Sequence, residues 1–355
     1  MTPDQLAAAV LDAARDVLAD RGLDQAILPA TTAVERPRVA EHGDYASTLA
    51  LQLAKKAGVA PRDLAQAISG KLAQAPGIKS VEVAGPGFLN VRLEAAAAGE
   101  VARLVVTHGE TYGHSEVLAG QVVNLEFVSA NPTGPVHLGH TRWAAVGDSL
   151  HRIFEAAGAT VTSEHYINDA GAQVDHFAAS LLAAARGEPT PENGYGGEYV
   201  KDIAARIVAE HPGVLEQPDA LAVFRDEGYR LMLAEMRESL ERFGVHFDVW
   251  FSERTLHASG AVEHALAKLR EQGHVFEADG AVWLRTTDFG DDRDRVLIRS
   301  NGEKTYFAAD AAYYVNKRER GFDKCFYLLG ADHHGYVGRL RALAACAGDD
   351  PDYSV

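Results

Sequence analysis

The sequence has little cysteine, no long apolar run and comparatively few basic residues. Its only two cysteines, Cys325 and Cys346, lack the CxxC spacing of a structural zinc site and are too few for a disulfide framework. No uninterrupted apolar run approaches the roughly 20 residues that span a bilayer, and the N-terminus lacks the basic and apolar segments of an export signal. These absences favour a protein of the reducing cytoplasm with no membrane partner.

The small number of basic residues restricts how this protein can bind nucleic acid. Lysine and arginine total 34 against 50 aspartates and glutamates, which gives a formal net charge of −16. Because neutralising a phosphate backbone needs clustered cations, this charge argues against nonspecific coating of nucleic acid and leaves room only for a local basic patch. Hydrophobic residues make up 47%, as in ordinary globular proteins. The length of 355 residues predicts at least two domains.

A strand, a loop and a helix are predicted in succession before the middle of the chain. Residues 121–128 are apolar and β-branched, which predicts a buried strand, and the Pro/Gly-rich residues 132–135 then break it. Apolar residues at helical spacing predict a helix over residues 141–157. A second apolar stretch near residues 161–167 completes a βαβ unit, whose two strands should be parallel.

Two histidines lie at the start of this predicted helix. Helix N-termini carry unpaired N–H groups and a positive dipole, so His137 and His140 on the first turn are placed to donate hydrogen bonds to a phosphoryl group. Gly139 between them would allow a nucleotide to approach the backbone closely. On spacing alone, a partial metal site or two solvated side chains explains the pair equally well.

Residues 126–140, EFVSANPTGPVHLGH, closely resemble the nucleotide-binding motif of class I aminoacyl-tRNA synthetases, in the form found in arginyl-tRNA synthetases. The resemblance implies an α/β fold with a Rossmann-like parallel-sheet catalytic domain over residues 109–355, interrupted by a connective insertion at about 173–294. A small α+β N-terminal domain, residues 1–108, precedes it. The resemblance implies that this domain contacts the outer corner of the tRNA, where the D-loop lies, whereas its composition alone favours a purely structural appendage.

The resemblance also implies a reaction. It is the ATP-dependent attachment of L-arginine to tRNA(Arg) through arginyl-adenylate, with Mg²⁺ carried by ATP. The expected partners are therefore L-arginine, ATP and tRNA(Arg), and the expected state is a monomer. Two alternatives stay open: a class I synthetase for another amino acid, and a non-catalytic synthetase-like module that binds RNA or free arginine.

A pocket for arginine must bind a guanidinium, which is planar, always charged and offers five donors, so it needs carboxylates. The resemblance assigns arginine binding to the predicted strand end and to a later helix: Glu126, Ser129, Asn131, Tyr306 and Asp310. Tyr306 and Asp310 are four residues apart on that helix. They are therefore expected to line one pocket.

The resemblance assigns catalysis to His137 and His140, which are expected to stabilise the transferring phosphoryl group. It places the wider ATP site on two loops: Pro135, His137, Gly139, His140, Gly330, Asp332 and His333. The last three residues end or follow a predicted strand at residues 324–330. No resident metal is expected, because the neighbours His333 and His334 project in different directions.

The sequence departs from the family in its phosphate-binding lysine. No loop resembling KMSKS occurs, and where some arginyl enzymes carry a compensating lysine before the histidine motif, this chain has Gly134. The chain is therefore expected to be the front part of a longer enzyme, without the lysine loop and the anticodon-binding domain. Alone, it is expected to be largely inactive.

Local patterns predict several other elements. Thr2 and Gln5 have the spacing of a capping box at the start of a helix. Residues 105–115 are polar and contain glycine, as in a linker, and Asp279-Gly280 predicts a hairpin turn. The strand predicted at residues 296–299 is expected to return the chain to the nucleotide-binding fold after the insertion.

Overall fold

A capping box begins the first helix, as the sequence predicts. Thr2 Oγ1 accepts a hydrogen bond from the Gln5 N–H at 3.2 Å, and Gln5 Oε1 accepts one from the Thr2 N–H at 2.8 Å. The structure, a computed structural model, describes residues 1–330 and 334–355. The chain separates into two compact units, Met1–Gly113 and His114–Val355.

The unit Met1–Gly113 has a small α+β fold, which confirms the predicted class. Its helices are α1 (Pro3–Asp20), α2 (Leu49–Ala57), α3 (Pro61–Leu72) and α4 (Ala95–His108). Its antiparallel sheet has the order β1-β3-β2 and is made of β1 (Tyr45–Ser47), β2 (Ile78–Ala84) and β3 (Phe88–Leu93). Helices α1, α2 and α3 share one apolar core with the sheet, which includes Leu6, Val10, Leu53, Leu64, Ile68 and Val91.

The linker predicted at residues 105–115 begins too early, because helix α4 extends into it. The helix continues to His108, so the first four residues of that range are helical. The alanine-rich segment before them has high helix propensity, and Val105 and Val106 extend a helix that has already begun. A short 3₁₀ turn, Gly109–Thr111, follows.

The unit His114–Val355 is built on a parallel sheet, which confirms the predicted Rossmann-like arrangement. Its strands are β4 (Val122–Glu126), β5 (Thr160–Ile167), β6 (Val249–Ser252) and β10 (Lys324–Tyr327), in the order β10-β4-β5-β6. Glu126 is in register with Tyr327 on one side and with Glu164 on the other. The last residue of β4 therefore lies between two neighbouring strands.

Helix α5 (Leu138–Ala156) connects β4 to β5 and packs closely against the chain that leaves β4. A Cβ atom at Gly147 would lie 2.2 Å from carbons of the Phe127 ring, so only glycine allows this approach. Gly158, with φ +97°, follows the helix at the left-handed position that the sequence predicts.

The rest of this unit is mainly helical. Its other helices are α6 (Ala172–Arg186), α7 (Glu198–Glu210), α8 (Ala220–Arg242), α9 (Glu253–Ala258), α10 (Ala261–Glu271), α11 (Tyr306–Glu319), α12 (His334–Cys346) and α13 (Pro351–Ser354). Its antiparallel sheet has the order β7-β8-β9 and is made of β7 (Val275–Ala278), β8 (Ala281–Leu284) and β9 (Arg295–Ile298). The predicted turn at Asp279-Gly280 joins β7 to β8. Over residues 1–330 and 334–355, no helix combines the length and the apolar character needed to cross a membrane.

The strand pairing differs from that expected for an insertion over residues 173–294. Strand β6 lies within that range, yet it pairs in parallel with β5, so the chain rejoins the parallel sheet at Val249. The strand predicted at residues 296–299 forms as β9, but it pairs antiparallel with β8. Because β6 has only four residues, its short apolar run shows no periodicity that distinguishes a strand from part of a helix.

Candidate active site

The chain turns sharply where β4 ends. Val128 and Ser129 both have positive φ, 67° and 44°. This left-handed backbone is uncommon for residues other than glycine and strained for β-branched valine, so surrounding contacts must hold it. The Ser129 N–H donates to the Phe127 carbonyl at 2.9 Å, and Ser129 Oγ donates to Glu126 Oε1 at 3.1 Å. The turn thereby brings Ser129 back to the carboxylate that ends the strand.

Strand β5 supplies further contacts that hold this turn. The Ala130 N–H donates to His165 Nε2 at 3.3 Å, and the Tyr166 N–H donates to Ser129 Oγ at 3.2 Å. Burial lowers the pKa of His165 to about 3, so its imidazole is neutral and can accept a hydrogen bond. Its ring stacks on Trp250 with 4.4 Å between centroids. Sequence reasoning missed His165, because a histidine within a strand carries no signal of a contact so distant in sequence.

His137 and His140 lie at the N-terminus of α5, with 3.8 Å between their stacked ring centroids. His137 Nδ1 accepts from the Gly139 N–H at 3.1 Å, and His140 Nδ1 accepts from the His137 N–H at 3.4 Å. Burial, and secondly the charge of His137, lower the pKa of His140. A Cβ atom at Gly139 would lie 3.0 Å from His137 Cε1, so glycine leaves space for that ring. Exposed Pro135 precedes them, so four of the predicted ATP-site residues lie together.

A small cavity lies beside the end of β4. Its volume is about 110 Å³, and two carboxylates, four tyrosines and two leucines line it: Glu126, Asp310, Tyr166, Tyr313, Tyr327, Tyr336, Leu329 and Leu340. Carboxylates and the negative faces of aromatic rings both attract cations. Glu126 and Asp310, which are far apart in sequence, are thus brought into one cavity suited to a positively charged group.

A positively charged ligand would favour the ionised form of Asp310. Burial raises the pKa of Asp310 to about 6, even though a hydrogen bond from the Tyr336 hydroxyl opposes the rise. The negative charges of Glu253 and Glu126 add to it. A cation next to Asp310 would compensate for both causes, so the ionised carboxylate and the cation stabilise each other.

Glu126 already has a cationic partner. Lys317 on α11 donates to Glu126 Oε2 at 2.6 Å, and the lysine side chain is fully buried. Its ammonium lies 4.4 Å from the ring centroid of Tyr313 and 4.0 Å from that of Tyr327. Sequence reasoning missed Lys317, although its place two helical turns after Asp310 puts both on one face of the helix and was a usable signal.

Tyr306 and Asn131 do not line this cavity. Tyr306 is 70% exposed and lines a separate cleft beside Lys304, so the structure does not place it in one cavity with Asp310, and its assignment to arginine binding stays a prediction. It is the first residue of α11, where side chains point back beyond the helix start, and sharing a helix face therefore does not bring the two together. Asn131 Nδ2 instead donates to Gln173 Oε1 at 2.5 Å.

The second loop predicted to bind ATP follows β10. Gly330 is partly buried there, and α12 begins at His334. Asp332 and His333 lie outside the described residues. The assignment of these three residues to the ATP site therefore stays a prediction.

Comparison with known proteins identifies two family domains. Residues 4–93 match the arginyl tRNA synthetase N terminal domain, and residues 101–194 match the catalytic domain of tRNA synthetases class I (R). The chain is 58% identical over 356 residues to the arginine–tRNA ligase of Renibacterium salmoninarum and 59% identical over 355 residues to that of Kineococcus radiotolerans. Each alignment covers 99% of this chain, which spans 65% and 64% of the two relatives.

Solved structures share the fold. A putative arginyl-tRNA synthetase from Campylobacter jejuni is 33% identical with a TM-score of 0.69, over 74% of this chain and 59% of that one. Arginyl-tRNA synthetase from Thermus thermophilus has a TM-score of 0.63 at 23% identity, over 98% of this chain and 64% of its own, which supports the fold. Together with the two matched domains and the motif at residues 126–140, these likenesses show that the chain belongs to the arginyl-tRNA synthetase family.

Proposed function

We propose that this chain carries the arginine-activating site of a cytoplasmic arginine–tRNA ligase, which joins L-arginine to tRNA(Arg) with consumption of ATP and acts as a monomer. The observation that carries the proposal is the tyrosine-lined cavity that holds both Glu126 and Asp310 beside the end of β4. Ligands of open parallel sheets bind outside the carboxyl ends of the strands, which is where this cavity lies. ATP enters the reaction with Mg²⁺.

The arrangement supports a two-step reaction. The guanidinium occupies the cavity with the Asp310 carboxylate as its ionic partner, which fixes the amino acid. The carboxylate of arginine attacks the α-phosphorus of ATP, forming the mixed anhydride as pyrophosphate leaves, while His137 and His140 stabilise charge on the phosphoryl oxygens. A hydroxyl of the terminal ribose of tRNA then takes the arginyl group, loses its proton and releases AMP. No protein nucleophile is required.

We assign the unit Met1–Gly113 to contact with tRNA. It contains a cleft of about 800 Å³ whose wall includes Arg36, Arg38 and Tyr45, and the Arg36 guanidinium lies 5.9 Å from the Tyr45 ring centroid. Guanidinium groups suit phosphates, and an aromatic ring suits an unstacked base. A local site of this kind is compatible with a net charge of −16.

A thermal-shift titration tests the proposed substrate. L-Arginine is compared with L-lysine, L-citrulline and L-glutamate, each with and without ATP and Mg²⁺. Arginine at about 100 times its Kd should stabilise the folded chain by about 2.7 kcal/mol. Citrulline, which matches arginine in length but lacks its charge, is the control and should give no shift at that concentration. An equal shift with citrulline, or none with arginine, would contradict the proposal.

The affinity for arginine should depend on pH through Asp310. Burial raises the pKa of Asp310 to about 6, and the guanidinium binds the ionised form. Kd is therefore constant above pH 7 and rises as pH falls through 6, by about tenfold between pH 7.5 and 5. Isothermal titration calorimetry across this range measures it. A Kd that stays flat down to pH 5 would show that Asp310 does not contact the guanidinium.

A further inference from the structure

Lys317 has no direct part in the proposed reaction. It is fully buried, its ammonium is 2.6 Å from Glu126 Oε2, and two tyrosine rings of the cavity wall lie within 4.4 Å of it. It does not itself line the cavity. Its link to a ligand would therefore run through Glu126.

Packing alone gives no reason for a charge at this position. Removing an ammonium and a carboxylate from water is unfavourable for each ion, and replacing a buried pair by apolar residues of similar volume is often neutral or stabilising. Leucine or methionine would fill the space of Lys317 without that cost. The ion pair with Glu126 thus points to a role in the cavity beside it.

That role follows from the charges around the cavity. Glu126 and Asp310 line it, and other charged groups act on these two carboxylates from several elements: Lys317 of α11 on Glu126, and Glu253 of α9 and Arg339 of α12 on Asp310. The tyrosines of the wall are neutral. Without Lys317, the carboxylates of Glu126 and Asp310 would be two like charges beside a cavity of about 110 Å³, and one of them would take up a proton.

We propose that Lys317 is a positioning residue that neutralises Glu126 and fixes its carboxylate, so that the cavity presents one net negative charge, that of Asp310, to one guanidinium. This inference rests on the proposed arginine site. Glu126 Oε1, which accepts from Ser129, retains a lone pair that can accept from the guanidinium. Lys317 therefore acts on the ligand only through Glu126.

A double-mutant cycle on the whole 355-residue chain tests this. Calorimetry at pH 7.5 measures the Kd of L-arginine for the wild type, Lys317→Met, Glu126→Gln and the double variant. Lys317→Met should raise Kd at least about tenfold, and the same substitution should change Kd by less than about threefold when residue 126 is already glutamine. An equal rise in both backgrounds would overturn the inference, since Lys317 would then act independently of Glu126.

Proton release gives a second readout. With Lys317 replaced by methionine, one of the two carboxylates beside the cavity is expected to hold a proton that arginine displaces, so binding should release close to one proton at pH 7.5, measured in buffers of different ionisation enthalpy. The wild type should release almost none, and Lys317→Arg should behave as the wild type. Equal proton release by Lys317→Met and the wild type would contradict the inference, because a packing role alone does not change proton release.

Arg318→Met is the matched control. Arg318 is the next residue of α11, is partly buried and pairs with Asp349 at 3.0 Å, away from the cavity. Its replacement should lower stability without changing the affinity for arginine. If Lys317→Met does not fold, Glu126→Gln and the double variant still decide, since a further loss of affinity in the double variant contradicts the inference. If the wild type itself fails to bind arginine, the proposed function fails instead.

Discussion

Replacing Asp310 by asparagine is expected to weaken the binding of L-arginine by on the order of a hundredfold, since a charge-assisted contact to a desolvated carboxylate is worth a few kcal/mol. The same change should raise the thermal midpoint of the unliganded chain by a few degrees. Burial raises the pKa of Asp310 to about 6, so ionising it at pH 7.5 opposes folding. Asparagine has the same shape and can still accept from Tyr336, but it carries no charge.

The opposite signs of these two effects make the experiment specific. Tryptophan fluorescence measures the stability, because Trp143, Trp250 and Trp283 all lie in the unit His114–Val355. Calorimetry measures the affinity. Asp226→Asn removes an exposed carboxylate of α8 and should change neither quantity. A variant of Asp310 that loses stability together with affinity would show that this carboxylate is structural.

The sequence predicts the β4–α5–β5 corner well because its signals are local. Proline and glycine interrupt an apolar strand, the helix shows a regular apolar stripe, and Gly158 marks its end. Each signal lies within a few residues of the structure it specifies. The places of His137 and His140 at the helix start follow from the same local pattern.

The contacts that complete the site could not be predicted in this way. The ion pair between Glu126 and Lys317 joins residues 191 positions apart. The hydrogen bond that His165 accepts from Ala130 depends on the pairing of β4 with β5. The first contact depends on where α11 packs against the sheet and the second on strand order, and single-sequence patterns leave both open. The strained φ of Val128 gives no signal at all, since valine is ordinarily favourable in a strand.

Tyr306 shows the limit of arguments from helical spacing. The four-residue spacing correctly puts Tyr306 and Asp310 on one side of α11, yet the sheet and α12 cover only the second of them. Tyr313, three residues after Asp310, is the tyrosine that α11 contributes to the cavity instead. Spacing identifies a face of a helix, whereas the neighbours of that face are fixed by the rest of the fold.

Replacing Glu164 by glutamine is expected to lower the free energy of unfolding of the unit His114–Val355 by about 3 kcal/mol, the loss typical when one member of a buried ion pair is removed. Glu164 is fully buried between β4 and β6 in the sheet. Arg320 donates to both of its oxygens, at 2.7 and 2.9 Å, and Asn124 and Tyr313 donate to it as well. Glutamine keeps the shape but leaves the guanidinium of Arg320 without its counter-ion.

The pH dependence of this loss separates the charge of Glu164 from its shape. Burial alone would raise the pKa of Glu164, but hydrogen bonds from Arg320 and Tyr313 and the charge of Lys317 outweigh it and hold the pKa below the ordinary 4.5. The contribution is therefore complete above pH 4.5 and is lost as pH falls through the lowered folded-state value. Urea denaturation followed by tryptophan fluorescence should show wild type and Glu164→Gln converging in acid, whereas Glu238→Gln, an exposed change on α8, should match the wild type throughout. A difference that is independent of pH would mean that shape, and not charge, makes Glu164 stabilising.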